Sequence, residues 1–224
     1  MSTAYNPACQ RCPRLARFLA LTRGQHPGYW ARPVPSFGAA RPRILIVGLA
    51  PGMHGANRTG RPFTGDHAGI LLYQTLHAAG LATAPVSLSA TDPLRLLNVR
   101  IANAVKCVPP ANKPLPEEIR RCNDYLATEI NQLPQVRVYL ALGRVAHEAV
   151  LLAHGLPRAR FRFAHGAEHA LDAAHWLIDS YHCSRYNTAT RRLTAAMFTA
   201  VVARACERAG LPVAAAARFI EATG

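Results

Sequence analysis

Residues 43–69 read RILIVGLAPGMHGANRTGRPFTGDHAG. Ile44, Leu45, Ile46 and Val47 stand in a row and stop at Gly48. An unbroken apolar run of this length is the pattern of a strand buried on both faces of a parallel sheet. The loop that follows carries glycine at 48, 52, 55, 60, 65 and 69, so its backbone can approach a ligand closely. A connection after a strand is normally a few residues, and a longer one without periodicity is usually functional or disordered. Asn57, Arg58, Thr59, Arg61, Phe63, Thr64 and Asp66 stand between those glycines. One aromatic and one carboxylate at fixed offsets read as a binding loop.

Outward from this stretch, the chain alternates. Asp66 occupies a helix N-cap position, and Ile70, Leu71, Tyr73, Gln74, Leu76 and His77 continue at helical spacing to Gly80. Residues 96–105 read as a second strand ending near Asn103, and 106–116 are studded with proline and read as neither strand nor helix. A helix over 117–133, a strand over 136–143 and a short helix over 145–153 follow. Residues 158–164 suggest a hairpin or edge strand, 176–181 the last strand and 190–209 the last helix. Upstream, a helix-like run over 15–21 precedes an irregular arm over 26–42 that is rich in Pro, Gly and aromatics. Strands alternating with helices predict an α/β fold with a mostly parallel sheet covered on both faces. Ligands of such sheets bind beyond the carboxyl ends of the strands, where the loop after Gly48, Asn103 and His182 all fall. The chain of 224 residues reads as a single domain over 1–224 with an N-terminal segment over 1–42. Its alanine-rich end, 214–224, is expected to fray.

Lys and Arg number 26 against 12 Asp and Glu, a net charge of +14. Such a surplus concentrates polyanions around the chain, and the planar fork of arginine suits phosphate. Nucleic acid is therefore the first partner to test, against the plain alternative of a high-GC codon bias. The chain has no run long and apolar enough for a membrane helix and no secretory signal pattern at its start, which predicts a cytoplasmic protein. In that compartment its six cysteines ligate a metal or stay reduced rather than pair. Cys9 and Cys12 have C-x2-C spacing. Cys107 in the proline loop and Cys122 in the next helix complete a set of four that fits either structural zinc or a 4Fe-4S cluster. Such a clip would close a loop of more than ninety residues. Cys183 and Cys206 have no partner at ligand spacing.

Three segments taken together, GLAPGMHGANRTGRPFTGD (48–66), NAVKCVPPANKP (103–114) with a cysteine fifteen positions after Cys107, and HCSRYNTATRRLT (182–194), closely resemble the type B (family 5) iron-sulfur uracil-DNA glycosylases. The likeness runs from Cys9 to about Cys206. It implies a three-layer α/β/α sandwich around a short, mostly parallel sheet. It implies too that Cys9, Cys12, Cys107 and Cys122 hold a 4Fe-4S cluster rather than zinc, in a monomer acting on DNA that contains uracil or other deaminated bases. Two positions depart from the family pattern: Cys183 stands where proline is usual, leaving the chain beside His182 less restrained, and Arg191 stands where glycine is usual.

Cleaving an N-glycosidic bond leaves positive charge on the sugar and negative charge on the base, so the site needs an anion on one side and donors on the other. By the resemblance Asp66 is the carboxylate, orienting water or stabilising the sugar cation; on its own it could simply cap the helix after it. His182 is expected to donate to the base oxygen, and the planar amide of Asn103 to read the base edge. Gly48, Ala50, Gly52 and Phe63 complete the base-binding set. Leu49 cannot position water, so selectivity falls to Asn103, Phe63 and the ease of extruding the base. Uracil opposite guanine is then preferred, hypoxanthine is released more slowly and cytosine is refused. Arg58, Arg61, Ser184, Arg185 and Tyr186 are the expected DNA contacts, with Arg185 or Tyr186 entering the helix. The rival reading is a non-catalytic iron-sulfur nucleic-acid-binding protein; a nucleotide hydrolase is disfavoured because no G-x-x-x-x-G-K-[ST] motif is present.

Overall fold

The computed structural model describes residues 5–212. The tail expected to fray lies outside them. Helix α1 spans Pro13–Gln25, β1 Phe37–Gly38, β2 Ile44–Gly48, α2 Ala56–Thr59, α3 His67–Ala78 and β3 Val99–Asn103. Then come α4 Pro116–Asn131, β4 Val138–Leu142, α5 Arg144–Ala153, β5 Glu168–Ala170, β6 Trp176–Ser180, α6 Arg185–Ala189 and α7 Ala195–Ala209. The six strands form one sheet in the order β1-β3-β2-β4-β6-β5. Its four central strands are parallel, and the two short edges run antiparallel.

All five residues of β2 are buried, as its unbroken apolar run requires. Ile44 and Ile46 face a layer that includes Leu72, Tyr73 and Leu76 of α3 and Phe198 and Val202 of α7. Leu45 and Val47 face Leu126 and Ile130 of α4 and Ala146 and Val150 of α5. The sheet is thus the middle layer of a three-layer α/β/α sandwich. Because α3 follows β2 onto one face while α5 follows β4 onto the other, the connections diverge between these adjacent strands. A crevice opens there at the carboxyl ends. A third apolar cluster joins Leu15 and Leu19 of α1 to Val105, Cys107, Val108 and Cys122.

Several elements differ from the reading of the sequence. The edge strand lies at Glu168–Ala170 and not at 158–164, where a 3-10 turn over Arg158–Arg160 stands instead. Its hairpin partner is β6, with Glu168 opposite Ile178. The proline loop holds a 3-10 turn over Pro110–Asn112 in which Ala111 and Asn112 both have positive φ. The last helix starts at Ala195 and not at 190: a turn in which Arg191 has φ 56° precedes it, and α7 begins with Thr194 capping Met197 N–H. The short α6 upstream was not expected, and it buries none of its residues, so it has no apolar period to announce it. The arm read as irregular over 26–42 contains the two-residue edge strand β1, paired with β3; before it, Trp30 and Ala31 donate to the carbonyls of Arg58 and Asn57, strapping the arm onto the Gly-rich loop.

Candidate active site

The Gly-rich loop, the end of β3 and the segment after β6 meet over the crevice. Leu49, Ala50, Gly52, Phe63, Asp66, Asn103, His182, Ser184 and Arg185 line one pocket there. The ladder between β2 and β3 continues past Gly48, since Ala104 and Val105 donate to the carbonyls of Gly48 and Leu49. The pocket floor is therefore an extension of the sheet.

Gly48 lets two groups close on the strand end. A Cβ there would stand 2.6 Å from Asn103 Oδ1 and 2.7 Å from Phe63 Cζ. Asn103 is buried, and its Oδ1 has no hydrogen-bond partner. A buried acceptor left unpaired costs about 1–3 kcal/mol, so the amide is set for a ligand N–H. Phe63 is held in the left-handed region at φ 56°. Tyr73 Oη donates to Pro62 O at 2.7 Å, and the missing Cβ of Gly69 makes room for the Phe63 carbonyl. Strained backbone of this kind persists where its surroundings fix it, commonly at ligand sites. The Phe63 ring lies 5.9 Å from that of His182, 30° from parallel.

Asp66 stands at the N-cap of α3, but its side chain makes no capping bond. It turns instead to the start of α2, where Ala56 N–H donates to Oδ2 at 3.0 Å. The carboxylate fills space that side chains at Gly52 and Gly55 would occupy. The carboxylate is therefore not the side-chain cap that its position before α3 suggested. Burial pushes the Asp66 carboxyl above its ordinary range, and the Ala56 N–H and the charges of Arg58 and His54 oppose that shift. Burial lowers His182 to about 4, so at neutral pH its imidazole is an uncharged donor.

The segment after His182 is tied down without proline. Cys183 is wholly buried in the core beside α7, and Asn187 Nδ2 donates to His182 O at 2.8 Å. The departure from the family pattern is thus offset by burial and a hydrogen bond. Ser184 caps α6, its Oγ accepting from Asn187 N–H. Tyr186 is 70% exposed, the most exposed large apolar side chain beside the pocket, and Arg185 is exposed next to it.

Arg58 is exposed at the loop surface, its Nε donating to His54 O. Arg61, read as a DNA contact, is not available for one. It is 4% exposed, bonded to Thr64 Oγ1, Ser87 Oγ and Asp92 Oδ1 and set over the Phe37 ring at 4.6 Å. Its charge is spent inside the protein, a distinction that composition cannot make. Asn112 and His67 also line the pocket and were not anticipated; the one signal for Asn112 is an Asn in a proline turn, a residue tolerant of positive φ. His67 Nε2 meets Thr188 Oγ1 at 3.2 Å, joining α3 to α6.

Away from the pocket, Cys9, Cys12, Cys107 and Cys122 line a single cavity with apolar walls that include Leu15 and Val105. Lys106 N–H donates to Cys122 Sγ at 3.2 Å, and Arg11 and Arg121 stand at its edge. Burial, and for Cys107 the neighbouring thiols, push both Cys107 and Cys122 up, the latter to about 11. Such a set stays protonated unless a cation replaces the protons, and four thiols fit a soft metal or an iron-sulfur cluster.

Fold and pocket together define an α/β protein with one carboxylate, one uncharged imidazole and one unpartnered amide converging at the carboxyl ends of a parallel sheet. The profile of the Uracil DNA glycosylase superfamily matches residues 35–205, and the chain belongs to that family. It is 51% identical over 209 residues to the type-5 uracil-DNA glycosylase of Thermus thermophilus, covering 91% of this chain and 95% of that one. It is 42% identical to the type-5 uracil-DNA glycosylase of Mycobacterium bovis, over 91% of this chain and 79% of the other. To that of Pyrobaculum aerophilum it is 41% identical, over 90% and 89%. Among the described residues no helix is long and apolar enough to cross a membrane.

Proposed function

We propose that this chain releases uracil from DNA by hydrolysing the N-glycosidic bond, with Asp66, His182 and Asn103 acting on a base flipped into the pocket. The observation that carries this reading is the Asp66 carboxylate seated against Gly52 and Gly55, in the same pocket as an unpartnered Asn103 Oδ1. As the bond breaks, the ionised carboxylate stabilises the sugar cation or orients the attacking water. His182 then donates its N–H to the base oxygen that gains charge. A preorganised donor of this kind costs no reorganisation at the moment of reaction.

Asn103 reads the base edge. Its oxygen accepts the N3–H of uracil while its nitrogen donates to the adjoining carbonyl. Hypoxanthine presents the same pair, N1–H beside a carbonyl, and is a second, slower substrate. Cytosine places a lone pair against Oδ1 and an amine against the donor, so it is refused. A base opposite the wrong partner costs less to extrude, which favours uracil opposite guanine. Arg58, Ser184 and Arg185 contact phosphates, and Tyr186 enters the vacated stack. The family likeness makes the working form a monomer.

The four thiols hold a 4Fe-4S cluster. The thiols line one cavity; zinc and an iron-sulfur cluster both take thiolate ligands, and the family likeness selects the cluster. When bound, the cluster supplies a cross-link between the N-terminal segment, the proline loop and α4.

The test is base release by protein with full iron content, from duplexes carrying uracil or hypoxanthine opposite each normal base. Uracil opposite guanine should be released fastest and hypoxanthine measurably. Asn103→Ala should flatten the preference among pyrimidines more than it weakens binding. No release of uracil from any duplex would overturn the reading.

A further inference from the structure

A second cluster of ligating side chains lies on the other face of β6 from α7, and the pocket chemistry makes no use of it. Asp179 of β6 is fully buried, His147 of α5 is 1% exposed, and His169 of β5 is half-buried. His147 Nε2 stands 3.1 Å from Phe161 O. A carbonyl only accepts, so this nitrogen carries the N–H. The other nitrogen, Nδ1, stands 2.7 Å from Asp179 Oδ1. In a neutral imidazole that contact sets one lone pair against another, so a positive particle has to sit between them. His169 Nε2 approaches Asp179 Oδ2 at 3.3 Å. Among the described residues, these imidazoles are the ion-pair partners of Asp179; no Lys or Arg reaches it.

We propose that His147, His169 and Asp179 form a site for one divalent transition-metal ion of the zinc class. Two imidazoles and one carboxylate suit such an ion and not magnesium or calcium, which take oxygen ligands. Ligands about 2.0 Å from a tetrahedral ion lie about 3.3 Å apart, the separation His169 and Asp179 already have. His147 has to part from Asp179 by a few tenths of an ångström. The N–H to Phe161 O is the outer hydrogen bond that orients a metal-bound histidine. The rings of Phe163 and Phe161, 5.7 Å from His147 and 5.8 Å from His169, wall the site against water. Asp179 lies on β6 three residues before His182, which follows the strand's end, and the ion would clamp α5 and β5 to that end of β6. This inference does not depend on the identity of the excised base.

The experiment is to equilibrate the iron-loaded protein with excess Zn2+, remove unbound metal and measure zinc and iron per chain, beside His169→Ala and His169→Gln. The wild type should hold about one zinc, and both variants should lose at least nine-tenths of it with iron unchanged. Zinc K-edge absorption of the wild type should show a first shell of nitrogen and oxygen. Zinc absent from the wild type, or equal in all three proteins, or ligated by sulfur, would overturn the site and leave a proton between His147 and Asp179.

Discussion

A methyl group at Gly55 would occupy the place of the Asp66 carboxylate. Gly55→Ala should therefore displace that carboxylate from Ala56 N–H while leaving the DNA surface alone. Losing one group that acts on transition-state charge costs on the order of 10²-fold or more. We expect single-turnover uracil release to fall by that factor in both Gly55→Ala and Asp66→Ala, with DNA affinity kept within about threefold, since binding energy lost here is realised only in the transition state. Equal rates in Gly55→Ala and wild type would show that Asp66 need not sit where it does. Arg61 makes the opposite case. Removing a guanidinium bonded to Thr64, Ser87 and Asp92 breaks a largely buried ion pair and leaves Asp92 held by the N–H groups of Leu88, Ser89 and Leu94 alone, at a cost of about 3 kcal/mol. Arg61→Ala should lower stability in urea titrations and leave DNA affinity per folded molecule unchanged, whereas a DNA contact would behave the other way round.

At the scale of elements, the turn between α6 and α7 holds Arg191 at φ 56°, a region that costs an L-residue about 1–2 kcal/mol. Glycine would relieve that strain and lose roughly 0.5–1 kcal/mol to the greater freedom of the unfolded chain. Arg191→Gly should thus stabilise the protein by about 0.5–1 kcal/mol. Chemical denaturation measures the difference directly, and a destabilised variant would mean that the Arg191 side chain supplies more than its backbone costs. The same turn explains why the helix read over 190–209 begins only at Ala195. Apolar spacing reports which residues face the core; it says nothing of a left-handed residue before a helix start, and α6, which buries none of its residues, leaves no such spacing to read. The edge strand was misplaced for a related reason. Three residues pairing with β6 carry no period of their own, and only that neighbour selects Glu168–Ala170.

For the whole molecule, buried charge sets the response to acid. Burial alone would raise Glu129, but Lys106, Arg100 and Ser36 hold it below its usual range, and Arg14 and Leu115 N–H do the same for Glu118. A carboxylate depressed in the folded state gives stability that is full above its unfolded value, about 4.3, and is lost as pH falls through the folded one. His182 adds an earlier phase. Held near 4 in the fold against 6.5 in the open chain, it lets the unfolded state take up a proton first as pH drops below 6.5. Unfolding free energy should therefore begin to fall between pH 6.5 and 4 and fall further below. Burial lowers His154 and His165 as well, so His182→Gln should shrink the first phase and keep the second; a profile unchanged by that substitution would mean that His182 is not depressed by the fold.

The sequence by itself determined the layers and the ends of the strands. An unbroken apolar run has to be buried on both faces, glycine has to stand where other groups crowd the backbone, and these demands are local. They placed Gly48, Asn103 and His182 at the carboxyl ends of the strands before any contact was known, and they set Cys9 and Cys12 at C-x2-C spacing. Only the tertiary structure decided which polar groups face the pocket and which are consumed inside. Arg58 and Arg61 are alike in type and three residues apart, yet one is at the surface and the other is enclosed by Phe37, Ser87 and Asp92. Asp66 reads as a cap but reaches Ala56 instead, and Asp179 finds His147 and His169 from two other elements. Ala56 lies ten residues from Asp66 and His169 ten from Asp179, the other partners lie farther along the chain, and hydrogen-bond partners at that range are set by packing and not by spacing.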